Sequence, residues 1–191
     1  MNHVHDAIFT IGHSTRTLVG LVALLRQVDV TLLVDVRSIA CSRTSPQFNG
    51  DTVLDSLAPF GIGYQQLRAL GGRRRRRKDT PPSLNPYWRV EAFRHYADYA
   101  ETAGFRAGLD ELRTLARDAR CAIMCAEAVW WRCHRRIIAD YLLASGARVE
   151  HIMGRGQVVP ATLTPGASVM GDGTLRYPAA EDVAPPGSDG L

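Results

Sequence analysis

Two stretches of the chain are apolar almost without interruption: Cys121-Ala122-Ile123-Met124-Cys125, and the core of Thr31 to Val36. A short run of this kind marks a strand buried on both faces, as in a parallel sheet covered by helices on either side. Each run ends abruptly in polar residues. The first empties into Ala126-Glu127-Ala128-Val129-Trp130-Trp131-Arg132-Cys133-His134-Arg135-Arg136 and then the helical pattern Ile137 to Leu142, while the second ends in Asp35-Val36-Arg37-Ser38.

The same alternation repeats along the chain. Ala7 to Ile11 is predicted as a first strand, closed by Gly12-His13-Ser14 and followed by helical spacing at Leu18, Leu21, Val22, Leu24 and Leu25. Residues 51–60 are expected to be helical, 63–67 a third strand, 87–102 and 105–119 helices, 132–145 a helix stopped by Gly146, and 148–153 a short strand. Strands alternating with helices predict an α/β fold, a three-layer sandwich with a mainly parallel sheet of about five strands. Its expected extent is residues 1–159, a single domain by length. From 160 to 191 the proline and glycine content and the weak apolar periodicity predict a C-terminal tail.

Composition narrows the class. The apolar fraction of 46% and charged fraction of 22% are ordinary for a globular protein, and no apolar stretch approaches the roughly 20 residues of a spanning helix. With no secretion signal near Met1, cytoplasmic residence without membrane contact is expected. The four cysteines, Cys41, Cys121, Cys125 and Cys133, are too few for a disulfide scaffold and are expected as thiols. The net charge of +4 is local: Arg73 to Lys78 supply six consecutive basic residues, leaving 17 basic against 19 acidic residues elsewhere, a net −2. A positive patch of that kind fits phosphates as its partner.

In a parallel sheet the polar strand ends share one edge, where loop amides and helix N-termini favour anions. His13 and Ser14, Asp35 with Arg37, and the segment after Cys125 are thereby expected at one site. Spacings of three and four place Cys133 and His134 above the stripe formed by Ile137, Ile138, Tyr141 and Leu142. A thiol at a helix start beside Arg132, Arg135 and Arg136 is expected to have a lowered pKa. Alternatively Cys125 pairs with His134, with Glu127 orienting the ring. Against these stands a plain reading in which the cysteines pack and the arginines solubilise.

Arg73, Arg74, Arg75, Arg76, Arg77 and Lys78 form either a solvated loop or a clamp over a polyanion, next to which Trp130 and Trp131 could stack on bases or simply pack. A zinc set of Cys125, Cys133, His134 and His13 lacks the usual ligand spacing of two to four residues and uses adjacent ligands, so neither a metal nor another cofactor is expected.

Thr10-Ile11-Gly12-His13-Ser14, Leu33 to Ser38, Ser45-Pro46-Gln47-Phe48-Asn49, Leu70-Gly71-Gly72-Arg73 and Cys125-Ala126-Glu127 with Cys133-His134-Arg135 resemble, in this order, the domain of unknown function 488 family over residues 8–155. The resemblance implies an α/β fold and a site drawn from His13, Ser14, Asp35, Arg37, Gly71, Gly72, Cys125, Glu127, Cys133, His134 and Arg135, but no reaction. Ala40-Cys41 stands where the family commonly has proline, and the arginine run is longer than usual.

The leading expectation is an enzyme acting on a phosphate-bearing small molecule or nucleic acid. Arg37, Arg73 and Arg135 would hold anionic groups, His13 or His134 would move protons, and Cys125 or Cys133 would be the nucleophile. The alternatives are a non-catalytic nucleic-acid-binding module using the basic loop, and rhodanese-like sulfur transfer.

Overall fold

The structure, a computed structural model, describes residues 7–74 and 82–179. The apolar runs lie in the middle of a six-stranded sheet. Strands β1 (Ile8–Gly12), β2 (Leu32–Asp35), β3 (Gly63–Gln66), β4 (Cys121–Cys125) and β5 (Val149–Gly154) are parallel, and β6 (Gln157–Pro160) runs antiparallel to β5. Their spatial order is β3-β2-β4-β1-β5-β6. The sixth strand exceeds the expected five because Gly156, at φ 65, permits a tight return of the chain beside β5. No Asn-Gly or Asp-Gly pair announces that turn in the sequence.

Helices α1 (Leu18–Arg26) and α2 (Gly50–Leu57) pack on one face, and α3 (Glu91–Ala100), α4 (Ala103–Asp118) and α5 (Arg135–Ala144) on the other. Polar caps set two of the starts: the Thr17 side chain accepts from Gly20 N, and that of Thr102 from Phe105 N. Residue alternation in β4 divides the core between the layers. Ala122 and Met124 join Phe9, Ile11, Leu21 and Leu25, whereas Cys121, Ile123 and Cys125 join Tyr96, Phe105, Ile137 and Ile138. Cys125 is therefore directed to the layer that contains the start of α5.

Two helices begin later than their apolar patterns predict. The chain before α3 is held by Tyr87 N donating to the Tyr177 carbonyl, and by Trp88 packing on Phe93 and Tyr177. Before α5 a short 3-10 turn (Trp130–Arg132) is followed by Cys133 in extended conformation.

Beyond β6, the described residues up to Ala179 run back over α5. Leu175 and Tyr177 are fully buried there, the Tyr177 hydroxyl donates to Asp140, and Thr164 N donates to the same carboxylate. Asp140 is a buried acid on α5 whose lone pairs these groups satisfy. Three apolar or hydroxyl-bearing residues thus anchor a segment whose overall composition is poor in apolar periodicity.

Candidate active site

The C-terminal ends of β1, β2 and β4 open into a cavity of about 620 Å³. His13, Ser14, Arg37, Ser38, Gly72, Arg73, Cys125, Glu127, Arg132, Cys133 and His134 line it, with Phe93 and Tyr96 of α3 as an apolar wall. Backbone pairing continues past the strands: His13 N donates to Cys125 O and Ser14 N to Ala126 O, each at 2.9 Å. This locks the end of β1 to the loop after β4. Gly12 is required at that junction, since a Cβ there would overlap the carbonyl oxygen of Glu127.

At the inner end of the cavity Cys125, Cys133 and His134 come together, with their donor atoms all within 4.8 Å of one another. His134 Nδ1 lies 3.8 Å from Cys125 Sγ and 3.6 Å from Cys133 Sγ. Its Nε2 is 2.9 Å from the Val36 carbonyl, an acceptor, so Nε2 carries a proton and Nδ1 is the atom presented to the sulfurs. In the neutral ring Nδ1 accepts a thiol proton, and in the protonated ring it donates to a thiolate. Val36, not Glu127 as predicted, orients the ring. The Glu127 side chain is exposed, and its backbone oxygen accepts from Arg135 Nη2 at 2.6 Å.

Among the described residues Arg135 is the largest fully buried side chain. Its Nε donates to Cys133 Sγ at 3.3 Å. Burial opposes ionisation of the Cys133 thiol, but hydrogen bonds from Cys125 and His134, with the charges of His134 and Arg135, hold it well below the usual thiol range. The hydrogen bond to Cys133, then burial, push the Cys125 thiol far above that range. Of this sulfur pair, Cys133 is the one that ionises first.

The paired glycines make this packing possible. A Cβ on Gly72 would overlap the His134 ring at Nδ1, and one on Gly71 would overlap Ser38. Ser38 Oγ in turn accepts from Arg73 N at 2.9 Å. Gly71 and Gly72 thus contribute close approach of backbone to the cluster, and of the two only Gly72 lines the cavity.

Arg37 occupies the other wall. Its Nε donates to both carboxylate oxygens of Asp35, at 2.9 and 3.0 Å, and its Nη2 to the Phe48 carbonyl at 2.6 Å. Asp35 also accepts from Tyr64 Oη at 2.7 Å and is wholly buried. Asp35 therefore does not line the cavity; it neutralises and aims Arg37. Arg37 Nη1 reaches His13 Nε2 at 3.3 Å, and His13 Nδ1 donates to the Ser14 carbonyl at 3.0 Å. His13 is stacked on Phe48, with centroids 4.3 Å apart. Burial, followed by the Arg37 charge, lowers its pKa. The sequence block around Phe48 serves this wall.

The remaining candidates divide. Arg135 sits beneath the cysteines and away from the cavity lining, whereas Arg132, which the sequence offered only as a neighbour of the thiol, is exposed and lines it. Arg73 is exposed at the rim. Arg74 donates to the carbonyls of Arg68 and Ala69 and lies over the Tyr99 ring at 3.7 Å, pinned to the domain surface. Arg75, Arg76, Arg77 and Lys78 lie outside the described residues. Trp130 stacks on His151 at 4.4 Å, while Trp131 is exposed and meets Trp130 edge-on. His13 is not in the group formed by Cys125, Cys133 and His134, so the four-ligand set weighed from the sequence does not assemble.

Tyr96 and Phe93 escaped sequence reasoning. Tyr96 contacts the His134 ring at 5.0 Å and donates to the Leu70 carbonyl, fixing both the imidazole and the approach to the glycine pair. Both lie within the stretch 87–102, for which the sequence predicted only a helix.

Fold and cavity together define an α/β protein with a cysteine, histidine and arginine cluster at the carboxyl edge of its sheet. The sequence matches the family described as Domain of unknown function DUF488 over residues 17–142, and the chain belongs to that family. Comparison with curated proteins and with solved structures gave no match. Among the described residues no helix is long and apolar enough to cross a membrane.

Proposed function

We propose that the protein is an enzyme acting on a phosphate-bearing small molecule or on nucleic acid, with Cys125, Cys133 and His134 as its reactive centre. The observation that supports this reading most is their convergence at the inner end of a cavity whose rim bears Arg73 and Arg132. Exposed guanidiniums bind phosphate oxygens in bidentate fashion. Electron-rich sulfur and a proton-carrying imidazole lie further in, where burial of Cys125 and Cys133 strengthens electrostatic interactions.

Arg37 contributes less charge than its position implies, because Asp35 already neutralises it; it serves to hold His13 and the Phe48 turn. Arg135 likewise acts on the reaction through Cys133. The sulfurs can support such chemistry in two ways, as nucleophiles themselves or as ligands of an ion that supplies one.

The test is to replace Cys133 with Ser and His134 with Gln singly and assay against a panel of phosphomonoesters, nucleotides and oligonucleotides, with circular dichroism confirming the fold. Loss of at least 100-fold in turnover is expected in each variant. Full activity in both removes the proposed centre.

A further inference from the structure

We infer that Cys125 Sγ, Cys133 Sγ and His134 Nδ1 form a zinc-binding site with its fourth position open to the cavity. The binding stands on geometry alone; its use in catalysis rests on the enzyme reading above.

Distance is the first argument. Zinc takes sulfur at about 2.3 Å and nitrogen at about 2.0 Å, so a tetrahedral angle sets those two ligands about 3.6 Å apart. The separations of 3.6 and 3.8 Å from His134 Nδ1 to the two sulfurs have that length. A simple thiol and imidazole pair needs only one sulfur, and here two lie within 0.2 Å of the same distance from one ring nitrogen.

Outer contacts give the second argument. Metal-bound imidazoles characteristically donate their other N–H to a carbonyl or carboxylate, which fixes ring and tautomer. His134 Nε2 does this toward Val36 O at 2.9 Å, leaving the Nδ1 lone pair for the ion. Arg135 Nε steadies the Cys133 sulfur from the side, and Gly72 lets backbone close against the ring.

The donor set gives the third. Two thiolates and one imidazole select zinc over hard cations such as magnesium or calcium. Three protein ligands with an open position are the arrangement of catalytic zinc centres, in which bound water becomes acidic. The adjacency of Cys133 and His134, awkward in a regular helix, is resolved because Cys133 is extended and the helix begins only afterwards.

Purified, reduced full-length protein stripped of metal is titrated with Zn²⁺ against a chromophoric chelator, and separately with Co²⁺ to read thiolate-to-metal charge transfer. One ion per chain is expected, with a thiolate band. Cys133→Ser and His134→Gln should each weaken binding at least 100-fold, while Cys41→Ser, at an exposed thiol, should bind as the unaltered protein does. Absence of stoichiometric zinc, or equal binding by Cys133→Ser, overturns the inference. Stoichiometric zinc without turnover on any phosphate compound leaves the site standing and removes the enzyme reading. Absence of stoichiometric zinc together with turnover that Cys133→Ser abolishes does the reverse: the zinc site falls, the enzyme reading stands, and the sulfur is assigned as nucleophile.

Discussion

His151 offers a direct thermodynamic test of the packing behind the site. It lies on β5 with 1% exposure, bonds Thr10 Oγ1 through Nδ1 at 2.8 Å, and stacks on Trp130 with ring planes 11° apart. Burial, and then the charge of Arg135, lower its pKa from 6.5 to about 4. A histidine depressed in the folded state is protonated first in the unfolded chain. Its contribution is therefore intact above the unfolded pKa, and stability is lost as pH falls from about 6.5 towards 4. The full window corresponds to about 3 kcal/mol, at about 1.4 kcal/mol per pH unit. His151→Phe retains the stacked ring and removes the titrating nitrogens, at a pH-independent cost of about 1 kcal/mol for the stranded Thr10 hydroxyl. Urea unfolding of both proteins between pH 7 and pH 5 should show the unaltered protein losing about 2 kcal/mol more than the variant. Other titrating groups are common to both and cancel in the difference. Parallel stability curves would refute the claim that this ring is held neutral by its surroundings.

Two further substitutions probe the walls of the cavity. Asp35→Asn leaves the buried Arg37 without its counter-charge and should cost about 3–5 kcal/mol in denaturant unfolding; a loss below about 1 kcal/mol would mean that Arg37 turns out to solvent. Gly72→Ala places a methyl group against His134 and should displace the ring. Zinc affinity, or turnover, is then expected to fall at least tenfold while far-UV circular dichroism stays unchanged; unaltered affinity and turnover would show that the ring adjusts freely.

The layers of the fold were readable because apolar runs and helical spacing are local signals. Strands 31–36 and 121–125 declare themselves by composition, and the alternation within β4 follows from strand geometry. Strand order is a property of distant pairing and left no such mark. Within the site, Cys125, Cys133 and His134 were selected by their chemistry, but the agent orienting the imidazole was not, because the Val36 carbonyl is backbone and carries no sequence identity. Asp35 looked like a ligand-binding acid because its type and strand-end position fit one. Only the fold shows its oxygens already taken by Arg37 and Tyr64. Arg132 and Arg135 are indistinguishable by type, and the turn that ends before Cys133 sends one to the rim and the other inward. The hairpin into β6 depended on a glycine at positive φ in an otherwise unremarkable dipeptide.

The insertion of β4 between β1 and β2 has a kinetic consequence. Until residues as late as Cys121 to Cys125 arrive, the two earlier strands face each other across a strand-wide gap with unpaired edges, and nothing in the first third of the chain can fill it. Such delayed pairing slows folding and leaves those edges open to aggregation. The wedge that closes the gap also delivers Cys125. A nascent or truncated chain lacking it has neither a continuous sheet nor the grouping of Cys125, Cys133 and His134, so sheet and cluster are completed in one event.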